Sequence, residues 1–410
     1  MTAQPVSRLP LHAVLASNLV SVLFTSVSAL AIPWLVLTTS GSAARTGLVV
    51  FAELAPYVTM QALAGPWVER VGPRRAAWAG NVIAGPVILC VPALSAAGAL
   101  GLAAIVAVVA VVGTLRGVAD CAVAPLVPEA ARRGGTPLER AAGLNSSARE
   151  AAMLLGAPAA AALLTVLEPA MVLLVCGSGF IATAIVLLAG VPADMGGPAR
   201  GGATEGRYLR RVTAGLGFVF ADPLLRWIVL MVAASNLLNN ARYSVLLPSW
   251  VREDGLAPAT LGLVSGAISL GALVGSLLGS WLAPRLRRWA VYAIGFALGG
   301  APLTIAMAIG WSPSATAAVA LVSGLAAGGI NPIIGAVQYE RVPTELLPRV
   351  LGAIKALAWT GLPLGPVLGG LLVDGSGLLV ALLATGAVSL LLALLPFTVR
   401  TFRLLDQRPG

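Results

Sequence analysis

Long apolar runs, nearly free of charge, recur along this chain from one end to the other. A membrane-spanning helix needs about 20 consecutive apolar residues. Runs of that order occupy 11–38, 46–67, 76–98, 101–127, 143–166, 169–192, 224–249, 260–283, 289–309, 313–335, 351–373 and 377–399, twelve in all. With no water in the hydrocarbon, backbone N–H and C=O groups must pair within the segment, so runs of this length fold as helices. The predicted fold class is an all-α membrane protein of twelve transmembrane helices. Composition agrees: 58% of residues are hydrophobic and 10% charged, against about 25% charged in a soluble domain.

The same composition argues against other classes. Cys90, Cys121 and Cys176 lie inside apolar runs without metal-ligand spacing, and an odd count does not suit a disulfide framework. His12 is the single histidine, so no zinc site or Ser/His/Asp set assembles. No nucleotide-binding loop is present. An enzyme is not expected, and neither a cofactor nor a metal is called for. The first run exceeds the roughly 7–15-residue apolar core of a cleaved signal peptide, so it reads as a retained helix.

Charge placement gives an orientation. With the N-terminus cytoplasmic, the 26 basic residues fall on cytoplasmic segments and adjoining span ends except Arg45 and Arg252 in external loops and Arg116 and Arg242 within spans. This is the positive-inside pattern. It predicts a multi-pass inner (plasma) membrane protein with both termini cytoplasmic. The net charge of +10 is thereby a topology signal, and no nucleic-acid partner is needed to explain it.

The chain also repeats. Residues 193–223 form the longest polar stretch. Glycines at 196, 197, 201 and 202 precede Arg207, Arg210 and Arg211, then Val212, Leu216 and Val219 at spacings of 4 and 3. This reads as a linker followed by an interfacial amphipathic helix. It separates a six-helix bundle over 1–192 from another over 224–410. Gly65-Pro66-Trp67-Val68-Glu69-Arg70-Val71-Gly72-Pro73-Arg74-Arg75, after the second run, is echoed by Gly279-Ser280-Trp281-Leu282-Ala283-Pro284-Arg285-Leu286-Arg287-Arg288, after the eighth. Gly156-Ala157-Pro158 is echoed by Gly365-Pro366-Val367-Leu368-Gly369-Gly370. Parallel halves about a midplane site are a transporter architecture.

At these residues the chain resembles the major facilitator superfamily. Gly65, Glu69, Arg70, Gly72, Arg74 and Arg75 fill that family's cytoplasmic loop signature, with Pro73 where a basic residue is common. Gly361, Gly365, Pro366, Gly369 and Gly370 resemble its Gly-Pro-rich antiporter motif, placed in span 11 rather than span 5. Three stretches are similar to its bacterial exporter branch, which includes siderophore and macrolide exporters. They are Ile32-Pro33-Trp34-Leu35-Val36-Leu37, Gly215 to Phe218 with Asp222 to Arg226, and Gln338 through Val342-Pro343 to Pro366. The resemblance implies two six-helix halves and alternating access. It also implies that Glu69 meets the N-terminus of a neighbouring helix, where the dipole favours an anion.

Ionisable groups inside spans are functional candidates by default. Arg116 and Asp120, four residues apart, share a helix face. They form either a self-neutralising pair or a switch in which Asp120 exchanges Arg116 for Arg74 and Arg75. Glu53 either pairs with Arg242, carries a proton, or is a structural acid. Asn18, Ser21, Thr25 and Ser28 form one stripe in span 1, and Asn236, Asn239 or Asn240, and Tyr243 a matching stripe in span 7. Interhelical hydrogen bonding is the bland reading of each. As a pair, with Asn331, they are expected to line a mildly polar substrate cavity.

The combined expectation is a monomeric secondary exporter of a small, moderately hydrophobic organic molecule, driven by proton antiport. Two alternatives stand beside it: an uncoupled facilitator or importer, and a non-transporting receptor or assembly factor. Topology is checked by cysteine accessibility in a cysteine-free background. A membrane-impermeant maleimide added outside should label Arg45→Cys and leave Arg75→Cys and Arg287→Cys unlabelled; labelling of either of the latter two breaks the twelve-span map.

Overall fold

The structure is a computed structural model that describes residues 7–197, 215–282, 286–343 and 346–407. Among them, twelve helices are long and apolar enough to cross a membrane. Spans 1–6 are Leu9–Ser40, Ala43–Leu63, Pro73–Ala96, Leu102–Arg133, Arg140–Val166 and Pro169–Gly190. Spans 7–12 are Pro223–Glu253, Ala259–Leu282, Arg288–Ala308, Pro313–Arg341, Val350–Ser376 and Leu378–Thr398. Spans 4 and 10 run past their apolar cores because their charged ends find partners. Arg133 bonds Asp194 at 3.0 Å and Glu129 at 3.5 Å, and Arg341 bonds Asp222 at 2.9 Å. Of the amphipathic helix expected before span 7, residues 215–221 are helical; Arg207, Arg210, Arg211 and Val212 lie outside the described residues, as do Pro284 and Arg285.

Two compact units divide the chain, Met1–Val36 with Val49–Thr204 and Leu37–Leu48 with Glu205–Gly410. Residues 37–48, which the sequence reading places in the first half, pack with the second unit. Asp374 in span 11 explains this. Its carboxylate accepts from Ser42 Oγ at 2.5 Å and from the Ala43 and Ala44 N–H groups at 2.8 and 3.0 Å. It completes the cap that Ser42 begins by accepting from the Arg45 N–H at 3.1 Å, and a carboxylate is favoured at that end of a helix. Arg252 adds a hydrogen bond to the Gly41 carbonyl at 3.3 Å.

Each unit ties the start of its third span to the end of its sixth. In the first unit, Arg74 donates from Nε to the Val191 carbonyl at 2.7 Å and from Nη2 to the Leu188 carbonyl at 3.2 Å. In the second, the Trp289 N–H donates to Asp406 at 3.0 Å, just past span 12. Arg288 forms a bidentate pair with Glu340 at 2.6 and 2.7 Å. Asp222 caps span 7, accepting from Leu224 N–H at 2.8 Å, Leu225 N–H at 3.0 Å and Arg341. Partial burial works against its ionisation, but these donors outweigh burial and hold its carboxyl below the usual carboxylate value.

Helix contact is set by glycine. A Cβ on Gly271 or Gly275 of span 8 would overlap the backbone of Leu321 or Leu325 in span 10, and one on Gly324 or Gly328 the backbone of Ile268 or Ala272. In the first unit, a Cβ on Gly113 or Gly117 of span 4 would overlap the backbone of Glu53 or Tyr57 in span 2. Lipid provides no hydrophobic drive between helices, so such close approach supplies the van der Waals contact that holds them. Gly275→Val should therefore destabilise the protein by about 1–3 kcal/mol through overpacking, read as a lower melting temperature in detergent. Gly335→Ala, where a Cβ meets open space inside the helix Ile330–Arg341, should instead stabilise it by about 0.5–1 kcal/mol through helix propensity.

Candidate functional site

In the first unit, Arg116 organises a buried polar network. Its side chain is 3% exposed. Nη1 donates to Ser21 Oγ and to Asn81 Oδ1, the latter at 2.9 Å, and Nη2 to Asp120 Oδ1 at 3.2 Å. The guanidinium carbon lies 4.8 Å from the Phe180 ring centroid. Asp120 Oδ2 accepts from the Tyr57 hydroxyl at 2.8 Å, and the Tyr57 oxygen accepts from Gln61 at 2.9 Å. Arg116 and Asp120 are thus brought together, one turn apart, with spans 1, 2, 3 and 6 each sending a group to them. Glu53 lies within electrostatic reach of the same guanidinium. Arg74 is committed to backbone carbonyls, and Arg75 is exposed.

The first polar stripe serves this network. Ser21 is 4% exposed and Asn18 6%; Ser21 accepts from Arg116, and Asn18 donates to Asn145 at 2.8 Å. Thr25 donates to the Ser21 carbonyl at 2.8 Å. Asn81 and Tyr57 belong to the network without having been singled out in the sequence. A lone asparagine inside an apolar run, and a tyrosine four residues before a glutamine, are the signals that mark them.

The loop signature forms a short helix, Gly65–Val71, that ends at Gly72 with φ 97°. Only glycine takes that conformation without strain. Gly72 N–H closes the turn on the Val68 carbonyl at 2.8 Å. Glu69 and Arg70 are exposed.

The second unit holds a cavity of about 240 Å³ lined by Asn236, Asn239, Arg242, Asn331, Ser389 and Gly300 among others. Three irregular stretches of helix surround it. Span 7 widens into a π turn, Arg242–Leu246. Span 9 breaks at Gly300, with φ −118° and ψ −74°, between Arg288–Gly299 and Ala301–Ala308. Span 10 is interrupted at Gly329, between Pro313–Gly328 and Ile330–Arg341. Proline accounts for the last two, since Pro302 and Pro332 offer no N–H to the carbonyls four residues earlier. Irregular backbone at membrane depth is tolerated where protein or a wet cavity satisfies it, and π turns gather at functional sites. The pairing of Gly299-Gly300 with Pro302, and of Gly328-Gly329 with Pro332, is a sequence signal for this cavity that periodicity alone does not show.

The asparagines of span 7 divide into two tasks. Span 11 is broken at Gly361 to Pro363. Leu362 N–H turns to the Trp359 carbonyl at 3.0 Å, which leaves the Ala358 carbonyl free, and Asn236 donates to it at 2.8 Å. Pro366 has no N–H for the Leu362 carbonyl, and Asn240 donates to that at 2.5 Å. Asn240 is therefore a backbone-satisfying residue and is absent from the cavity lining described above. Asn239 instead holds Arg242, accepting from its Nη1 at 2.9 Å. Arg242 is 1% exposed, has no ion-pair partner among the described residues, and has no hydrogen-bond partner at Nε or Nη2. The Tyr243 hydroxyl lies within hydrogen-bonding reach of the guanidinium. An arginine at the centre of a membrane helix costs about 2.5–3.5 kcal/mol on insertion scales.

The sequence profile of the Major Facilitator Superfamily matches residues 14–254 and 233–409. The chain belongs to that superfamily. It is a multi-pass membrane transporter and not an enzyme. It is 28% identical over 404 residues to the multidrug efflux pump Tap of Mycolicibacterium fortuitum, covering 97% of each chain. It is 29% identical over 413 residues to the Tap pump of Mycobacterium tuberculosis strain ATCC 25618 / H37Rv, covering 98% of this chain and 96% of that one. A crystal structure of the nucleoside transporter NupG superposes with a TM-score of 0.76 at 13% identity, over 95% of this chain and 99% of that one, a likeness of fold.

Asn240→Leu should cost about 1–3 kcal/mol, because it strands the buried Leu362 carbonyl. Asn331→Leu, whose amide has no hydrogen bond among the described residues, should leave stability within about 0.5 kcal/mol. Thermal unfolding in a common detergent compares the two.

Proposed function

We propose that this transporter exports a small, moderately hydrophobic organic molecule from the cell by alternating access, driven by proton entry. The observation that carries export is near full-length similarity to proteins named multidrug efflux pumps. The mildly polar cavity at the irregular stretches of spans 7, 9 and 10 is a suitable receptor for such a molecule. Its amides and hydroxyls can orient a ligand, while Phe296, Ile330 and Ile334 on the same lining give apolar contact.

The coupling group is Glu53. It sits on span 2 beside the Arg116–Asp120–Tyr57 network, so its protonation state is felt by a buried guanidinium that already ties five spans together. A proton on Glu53 removes one of the carboxylates acting on Arg116 and shifts the balance toward Asp120. Loss of the proton reverses this. Both orientation states of the cycle can then differ in energy by the protonation of one side chain, as a coupled transporter requires. The protein acts as a monomer with both termini cytoplasmic.

Proteoliposome flux tests the reading. A panel of organic cations, macrolides and siderophores is assayed with and without an imposed pH gradient. Gradient-driven transport of at least one compound is expected, and Glu53→Gln should abolish that drive while leaving substrate exchange in the absence of a gradient. Transport by Glu53→Gln with full pH dependence removes the proton role. Transport indifferent to the gradient in the wild type leaves a facilitator.

A further inference from the structure

Two arginines lie buried in spans, and their surroundings differ. Arg116 has Asp120 against it, and both terminal nitrogens are engaged. Arg242 donates from Nη1 to Asn239, with the Tyr243 hydroxyl beside its guanidinium. Arg242 borders a cavity whose described lining contains no carboxylate. Its free donors are Nε and Nη2, which lie along one edge of the plane. That edge presents two parallel N–H groups at the spacing of the two oxygens of a carboxylate.

The cavity is shaped around this edge. Gly300, also on the lining, brings its backbone against the guanidinium: a Cβ there would stand 3.7 Å from Nη2 and 3.1 Å from the Ser389 Cβ. Gly300 also precedes the helix Ala301–Ala308, whose positive dipole end favours an anion. Asn239, which holds Nη1, has its own amide donating to Ser235 at 3.3 Å, so the fork is held by a second layer of contacts. Ser389 Oγ, donating to the Thr385 carbonyl, lines the cavity next to Gly300. The apolar remainder of the lining, Val232, Leu238, Phe296 and Leu392, suits a hydrophobic body.

We propose that this pocket takes the carboxylate of an amphiphilic organic acid, clasped side-on by Nε and Nη2 of Arg242, with the hydrophobic part of the molecule against Phe296 and its neighbours. This deepens the proposed transport function and rests on it for the physiological meaning of the pocket. The transported class is then one with an acidic group on a hydrophobic frame, and a neutral analogue forfeits the fork.

Binding is measured apart from transport. Purified wild-type protein in nanodiscs is titrated calorimetrically with 2-naphthoate and with 2-naphthamide, an uncharged molecule of the same shape, with empty nanodiscs subtracted. The acid should bind at least about ten-fold tighter, the ratio that a charge-assisted pair of hydrogen bonds supplies. Arg242→Gln should reduce the ratio to near one without weakening the amide, and Arg242→Lys, which keeps the charge and loses the fork, should fall between. Equal affinity of acid and amide in the wild type overturns the proposal without recourse to any variant. So does failure of both to bind, or a preference that survives Arg242→Gln. A preference for the acid in a protein that moves no compound in liposomes leaves the site standing and removes the transport reading; gradient-driven transport without acid preference does the reverse.

Discussion

A proline in a membrane helix removes an N–H that no water can replace, and the carbonyl it abandons must find another donor inside the protein. Much of the second unit answers to that constraint. Pro363 and Pro366 break span 11, and Asn236 and Asn240 of span 7 meet the carbonyls of Ala358 and Leu362. The donors are one helical turn apart because the orphaned carbonyls are one turn apart. Gly361 and Gly365, where a Cβ would overlap the backbone at Ala233 and Leu237, allow the two helices to come within reach of those bonds. The Gly-Pro-rich motif of span 11 and the asparagine stripe of span 7 are thus two halves of one device.

The same constraint locates the cavity. Where the prolines of spans 9 and 10 free backbone groups, the helices no longer seal against one another, and the π turn of span 7 pushes Arg242 into the opening. A cavity at interrupted helices combines polar backbone, side-chain amides and a confined volume, none of which a regular apolar helix offers. The first unit is organised differently. Its polar groups are spent on one another, with Arg116 joined to Ser21, Asn81 and Asp120 and the latter to Tyr57. A satisfied network of this kind is stiff and responds to charge as a unit. That is the behaviour the proposed coupling role asks of the first unit, as the two unused donors of Arg242 are what the proposed carboxylate site asks of the second.

Relatives named as multidrug efflux pumps match the chain along nearly its whole length. Glycine packing fixes the helices around the cavity. Spans 8 and 10 meet backbone to backbone over Gly271, Gly275, Gly324 and Gly328, so they hold their positions while the irregular stretches beside them carry the chemistry.

Apolar run length determined the fold, since hydrocarbon thickness sets helix length and leaves no alternative pairing for the backbone. The loop signature was equally legible, because Gly72 occupies a conformation that only glycine adopts freely. The pairing of Arg116 with Asp120 followed from helical periodicity, which is local. Periodicity could not say what the asparagines face. Asn18, Ser21 and Asn240 share the pattern of cavity-lining residues yet bond to Asn145, Arg116 and the Leu362 carbonyl, while Asn236 and Asn239 line the cavity. Nor could it place residues 37–48, which join the second unit through Asp374 more than 300 positions away. Those partners lie on other helices, and which helix face meets which neighbour is fixed by packing in three dimensions, after the local rules have been satisfied.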